Sequence, residues 1–180
     1  MRSVSDRAKP FVTVINSYTT HIPGHAHLER LGHIVERELK KLAYNVWYAN
    51  VGAAVCDGVA MGHFGMKYSL PSRELIADMV ESIMKAHPLD GMVMLTNCDK
   101  ITPGMLMALA RLDLPGLVVT GGPMLAGYRG MDRALCASGA FEAIGLRRSG
   151  KLTDADLVDQ AAGAVQAAGQ RRLLVADDHA

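Results

Sequence analysis

No apolar run in this sequence approaches the roughly 20 residues that a membrane span requires, and the opening stretch MRSVSDRAKPF has basic residues without the apolar core of a signal peptide. Neither export nor anchoring is expected, which leaves the cytoplasm as the default compartment. Cysteine is sparse. Cys56, Cys98 and Cys136 are an odd number without small-scaffold spacing, so a disulfide framework is not expected and a reducing compartment is the natural one. Charge of one sign does not accumulate: 19 Lys and Arg are interspersed with 18 Asp and Glu, for a net charge of +1. That leaves no basic stripe for nucleic acid and no acidic tail. Internal repeats and low-complexity linkers are missing too, and 180 residues with 49% hydrophobic side chains suffice for one real core. The expectation is a single domain over residues 1–180.

What the chain does have is concentrated in GMVMLTNCDKITPGMLM, Gly91 to Met107. Met92 to Leu95 is an unbroken apolar run, as in a parallel strand buried on both faces. Polarity then flips, and Asn97, Cys98, Asp99 and Lys100 put an amide, a thiol, a carboxylate and an amine on successive positions. Thr102 as N-cap and Pro103 as first helical residue predict a helix to about Leu112. The reactive residues thus fall between a strand's carboxyl end and a helix's amino end, where open α/β sheets bind ligands and a helix dipole favours anions.

The remaining elements fit around that stretch. Phe11 to Ile15 reads as a strand, and Leu28, Leu31, Val35, Leu39 and Leu42 mark an amphipathic helix over about His25 to Ala43. Asn45 to Asn50 suits a second strand, followed by a glycine-rich loop from Gly52 to Gly65. Ser72 is the expected cap of a helix whose apolar face is Leu75, Ile76, Met79, Val80, Ile83 and Met84. Leu117 to Thr120 is a fourth strand, ending in GGPM. Met131 to Leu146 and Thr153 to Ala168 read as helices, the second with Thr153 and Asp156 as a cap pair. The closing RRLLVADDHA is an edge strand or a frayed end. Strands alternating with helices predict an α/β fold: a three-layer, doubly wound, mainly parallel sheet with helices on both faces.

Cys98 has three readings from its residue type: nucleophile, metal or cluster ligand, or small buried hydrophobe. Asp99 and Lys100 are equally readable as an ordinary salt-bridged turn. Cys56 and Asp57 occupy a second loop that a parallel sheet places on the same edge. A thiol suits a soft metal or iron-sulfur cluster, a carboxylate a hard cation such as magnesium. The plainer reading of Asp57 is a turn residue stabilising backbone amides. His25 and His27 diverge on a helix and converge only on extended backbone, whereas His63, bracketed by Gly62 and Gly65, is the better pocket candidate. The 11 methionines are core filler.

Three segments, DGVAMGHFGMKYSLPSRELIAD, NCDKITPGMLMALARLDLP and TGGPMLAG, resemble the amino-terminal domain of the dihydroxy-acid dehydratase and phosphogluconate dehydratase family. NSYTTHIPGHAHL fits as well, so the likeness runs from about Phe11 to about Gly145. It implies a hydro-lyase of branched-chain amino-acid biosynthesis that converts a 2,3-dihydroxy acid to a 2-keto acid, or a relative acting on a sugar acid such as a phosphogluconate or pentonate. The resemblance further implies an iron-sulfur cluster bound by Cys98, and Mg2+ bound by Asp57, Asp99 and a carbamate on Lys100, the residue carried over as catalytic. Cys56 matches no general family ligand and is an additional cluster contact by position alone.

The chain also departs from the family pattern. The cysteine-rich loop and the β-rich carboxyl-terminal domain of the family are not represented, and Cys136 does not match the missing cysteine. Gly24 stands where many members have cysteine, and Phe64 where a small or acidic residue is usual, so its ring is expected to narrow the pocket. Two readings follow: an enzyme component completed by its own copies or by a chain carrying the missing domain, or a shortened relative acting as a binding or assembly subunit.

Overall fold

The computed structural model describes residues 8–52, 55–124, 127–129, 133–135 and 137–169. They fall into two compact units that divide between Gly121 and Gly122.

The first unit is a parallel sheet of four strands, β1 (Phe11–Asn16), β2 (Asn45–Asn50), β3 (Gly91–Thr96) and β4 (Gly116–Thr120), in the order β2-β1-β3-β4. Its helices are α1 (Leu28–Lys41), the single turn α2 (Asp57–Ala60), α3 (Ser69–Ala86) and α4 (Ile101–Leu112). Every residue of β3 is buried, as the apolar run requires of a strand with neighbours on both sides. Thr13 and Ile15 of β1 align with Met92 and Met94 of β3. Ile15, Met92 and Met94 join Ile76, Ala77, Val80 and Met84 of α3 and Ile101, Met105 and Ala108 of α4 in one cluster. The alternate residues of the pleat face the other layer, where Asn16 Nδ2 donates to the carbonyl of Leu28 at the start of α1, 2.8 Å away. Helices therefore cover both faces, as expected of a doubly wound sheet.

The second unit pairs β5 (Gly127–Arg129) antiparallel with β6 (Arg133–Leu135) and packs α5 (Ala137–Arg148) against α6 (Asp154–Gly169). Thr153 and Asp156 form the expected reciprocal cap: Thr153 Oγ1 accepts from the Asp156 amide at 3.2 Å, and Asp156 Oδ2 accepts from the Thr153 amide at 3.1 Å. Among the described residues no helix is long and apolar enough to cross a membrane.

Several sequence expectations are corrected. Ser72 does not cap α3. The helix starts at Ser69, and Ser72 Oγ donates back to the Ser69 carbonyl at 2.6 Å. Likewise α4 starts at Ile101 with Lys100 as the N-cap, ahead of Thr102 and Pro103. Pro103 sits at the third position of α4, as Pro71 does in α3, a first-turn site whose N–H has no partner inside the helix, so Pro103 marks the start of α4 less sharply than assumed. Leu75 and Leu42 are exposed and Ala77 replaces Leu75 in the core. The helix expected over Met131 to Leu146 is a strand at Arg133–Leu135 followed by α5. Cys136 and the closing RRLLVADDHA lie outside the described residues.

Gly104 fixes how closely α3 and α4 approach. A methyl there would lie 2.7 Å from the Arg73 carbonyl oxygen and 3.1 Å from Ile76. Backbone cannot rotate away, so Gly104→Ala is expected to cost about 1–3 kcal/mol of overpacking, which exceeds or cancels the ~1 kcal/mol gained in helix propensity. Urea denaturation measures the net; a clear gain in stability would contradict the packing.

Candidate functional site

β1 and β3 are neighbours whose connections leave in opposite directions, β1 to β2 and β3 to β4. The crevice beyond their carboxyl ends is the switch point at which such sheets bind ligands. On the α1 side it is closed by a polar network. Asn97, buried, donates from Nδ2 to the Gly24 carbonyl at 3.1 Å, and Ser17 Oγ donates to the Leu95 carbonyl at 2.9 Å. His25 lies in a tight turn at Pro23–His25 and donates from Nδ1 to the Ser17 carbonyl at 2.7 Å. His27 donates from Nε2 to the Gly121 carbonyl at 2.9 Å, and its buried Nδ1 has no hydrogen-bond partner among the described residues. The two histidines thus serve two separate carbonyls and form no pair for a metal.

On the side of α3 and α4 the loop after β2 delivers Cys56 in extended conformation and Asp57 as the first residue of α2. The Asp57 side chain is buried, with only 6% of its surface exposed. Its Oδ2 accepts from Lys100 Nζ at 2.7 Å, and its Oδ1 accepts a short hydrogen bond from Ser69 Oγ. Ser69 opens α3 and Lys100 caps α4, so the carboxylate sits at two helix amino ends, where the dipoles favour its charge. Burial pushes the Asp57 pKa up, but the Lys100 and Ser69 hydrogen bonds and the lysine's charge outweigh it and hold the carboxyl below its usual range. Asp57 is therefore an anion, and Lys100, a quarter exposed, its counter-ion.

Beside this pair lie the two thiols. Cys98 has φ +65°, a left-handed conformation that a non-glycine residue adopts at a cost and that clusters at functional sites. Its hydrogen bond is the main reason the Cys56 thiol is pulled down to about 6; burial opposes the shift and the Val59 and Gly58 amides assist it. Cys56 is thus a thiol that ionises far more readily than an ordinary one. The structure therefore unites Cys56 with Cys98 and Asp57 with Lys100. Asp99 shares their loop but is exposed, and among the described residues no hydrogen bond or ion pair engages it.

Ser69 is the residue that sequence reasoning missed. Its only signal is its place just ahead of Leu70 and Pro71, where a helix can start. His63, the expected pocket residue, organises the turn Phe64–Tyr68: Nδ1 accepts from the Gly65 amide at 2.9 Å and Nε2 donates to the Val59 carbonyl at 3.2 Å. Phe64, expected to narrow a pocket, is 66% exposed, edge-on to Tyr68 and beneath the Lys67 ammonium.

Fold and site define an α/β domain with paired thiols and a carboxylate–lysine pair at the carboxyl edge of its parallel sheet. The family described as dihydroxy-acid/6-phosphogluconate dehydratase N-terminal matches residues 9–174, and the chain belongs to it. It is 53% identical over 153 residues to the dihydroxy-acid dehydratase of Thermodesulfovibrio yellowstonii, covering 85% of this chain and 28% of that protein. The dihydroxy-acid dehydratase of Halothermothrix orenii is 50% identical over 151 residues, 83% of this chain and 27% of its own length. That of Geobacter metallireducens is 51% identical over 155 residues, with coverage of 85% and 28%. The chain spans little more than a quarter of these relatives.

The thiol contact has a direct test. Alkylation of Cys56 by iodoacetamide, followed by peptide mass spectrometry against pH, is expected to rise through an inflexion at about 6. Cys98→Ala should move that inflexion up toward the ordinary thiol value of about 8.5. An ordinary inflexion in the unaltered chain would mean that the two thiols stand apart.

Proposed function

We propose that this chain is the amino-terminal component of a hydro-lyase that removes water from a 2,3-dihydroxy acid to give a 2-keto acid. A sugar acid such as a phosphogluconate or pentonate is the alternative substrate. The observation that carries the reading is the meeting of two loops, Cys56 against Cys98 and Asp57 against Lys100, in a chain of the dehydratase family.

The donors fit the groups that such a reaction needs. Two adjacent thiols, one of them readily ionised, match the sulfur preference of an iron-sulfur cluster, so Cys98 and Cys56 would hold it. The ionised Asp57 suits a hard cation, with Asp99 free on the same loop to join it. As an ammonium, Lys100 competes for the Asp57 oxygen; as a carbamate it becomes an anionic oxygen donor, so Mg2+ would be held by Asp57, Asp99 and Lys100. When bound, these groups supply a Lewis acid for the departing hydroxyl and a charge that acidifies the neighbouring carbon's proton.

This chain's own residues prepare that chemistry. Lys100 and Ser69, with the α3 and α4 amino ends they occupy, keep Asp57 ionised. The Asn97 bond to Gly24 holds the start of the NCDK loop against the sheet. Two thiols fall short of a full cluster ligand set. The other donors and the base are assigned to the remaining length of the relatives.

Two outcomes are expected. Alone, the chain should bind an iron-sulfur cluster poorly and dehydrate nothing. Supplied with a polypeptide corresponding to the rest of a relative, it should gain the cluster's visible absorbance and turnover together, and Cys98→Ser should lose both with an unchanged circular dichroism spectrum. Assembly without cluster or turnover would favour the assembly-subunit reading.

A further inference from the structure

The Asp57 carboxylate has two partners, and the reading above assigns a role in the chemistry to Lys100 alone. We propose that Ser69 is the positioning residue of this site: its hydroxyl fixes the Asp57 carboxylate so that Oδ1 is occupied and Oδ2 is the oxygen presented toward Lys100 and the cation. The inference rests on Asp57 being a cation ligand.

The hydroxyl has one proton, and it goes to Asp57 Oδ1. Ser69 is 1% exposed, so water cannot substitute for it. Asp57 belongs to a helix of only four residues and has two side-chain torsions to hold. One anchor on each oxygen, Ser69 on Oδ1 and Lys100 on Oδ2, fixes both torsions. The anchors are independent of α2 and mutually rigid: Ser69 opens α3, Lys100 caps α4, and those two helices pack along their lengths. Ser69 is itself held, since its carbonyl accepts from Ser72 Oγ at 2.6 Å. Without the serine hydroxyl, Oδ1 is a buried acceptor with no donor, and the carboxylate is free to turn both oxygens toward Lys100. A ligand carboxylate deprived of its outer partner typically loses about 10–100-fold in metal affinity.

A purely structural role, tying α2 to α3, would lower stability without changing cation affinity in the folded protein. The test measures both. Mn2+, a paramagnetic stand-in for Mg2+, is titrated into the full chain by electron paramagnetic resonance, with a thermal melt of each variant. Asp57→Asn should abolish specific binding. Ser69→Ala should weaken it by about 10-fold or more, and Ser69→Thr, which keeps the donor, should recover most of it. Met84→Ala, a core truncation near the far end of α3, should lower the melting temperature and leave affinity nearly unchanged. If Ser69→Ala does not fold, the near-isosteric Ser69→Cys, a far weaker donor, is judged by the same criterion. Mn2+ binding that needs Asp57 yet is equally tight without the serine hydroxyl would overturn the role of Ser69 and leave the Asp57 reading standing. Equal binding with and without the Asp57 carboxylate would overturn both.

Discussion

The site depends on one buried carboxylate. Asp57 is taken out of water at the start of a single helical turn, and that loss of hydration is offset by a hydroxyl on one oxygen and an ammonium on the other. An unpartnered carboxylate at this depth would protonate or push its segment back to solvent. Because Ser69 begins α3 and Lys100 caps α4, satisfying Asp57 also fixes where the glycine-rich loop meets the NCDK loop. The thiols follow: Cys56 is the residue before Asp57 and Cys98 lies two before Lys100, so pairing the charged residues sets the thiols side by side.

The opposite side of the crevice is built from side-chain hydrogen bonds to backbone. Asn97, Ser17 and His27 each reach a carbonyl of another segment, holding the loop after β1 to the ends of β3 and β4, while His25 ties that loop back to its own start at Ser17. A Cβ on Gly121 would collide with His27 Nε2 at 2.6 Å, so that junction closes only because glycine stands there. One side therefore fixes backbone while the other holds the thiols, the carboxylate and the lysine. This division suits a crevice whose charged donors must answer to a ligand while the strands beneath them stay in register.

The strands were the most legible part of the sequence, because burial on two faces leaves continuous apolar runs and Asn45–Asn50 is rich in β-branched and aromatic residues. The positions of the CDG and NCDK loops followed from strand order alone. Helix starts were less legible: Pro71 and Pro103 are tolerated anywhere in a first turn, so both helices begin two residues before the proline. The strand at Arg133–Leu135 was missed because three residues pair too briefly to show a period of two. Ser69 was invisible for a different reason. A serine two residues before a proline reads as local cap chemistry, and nothing in its neighbourhood announces a hydrogen bond to a carboxylate 12 residues earlier.

Soft and hard donors alternate in both loops, and the fold sorts them. Cys56 is extended and Asp57 helical, so their side chains leave the chain in different directions. Cys98 achieves the same separation from Lys100 by entering the left-handed region. A regular backbone over Asn97 to Lys100 would let the strand or helix period decide which donors share a face. The strained residue breaks that period and lets thiol meet thiol while ammonium meets carboxylate. The cost of such a conformation, about 1–3 kcal/mol, is offset by contacts that exist only when both loops are in place: the Asp57–Lys100 pair and the contact between Cys56 and Cys98. Loop closure and donor sorting are thus one event, which makes the sulfur pair and the carboxylate–lysine pair sensitive to the same perturbations although they suit different metals.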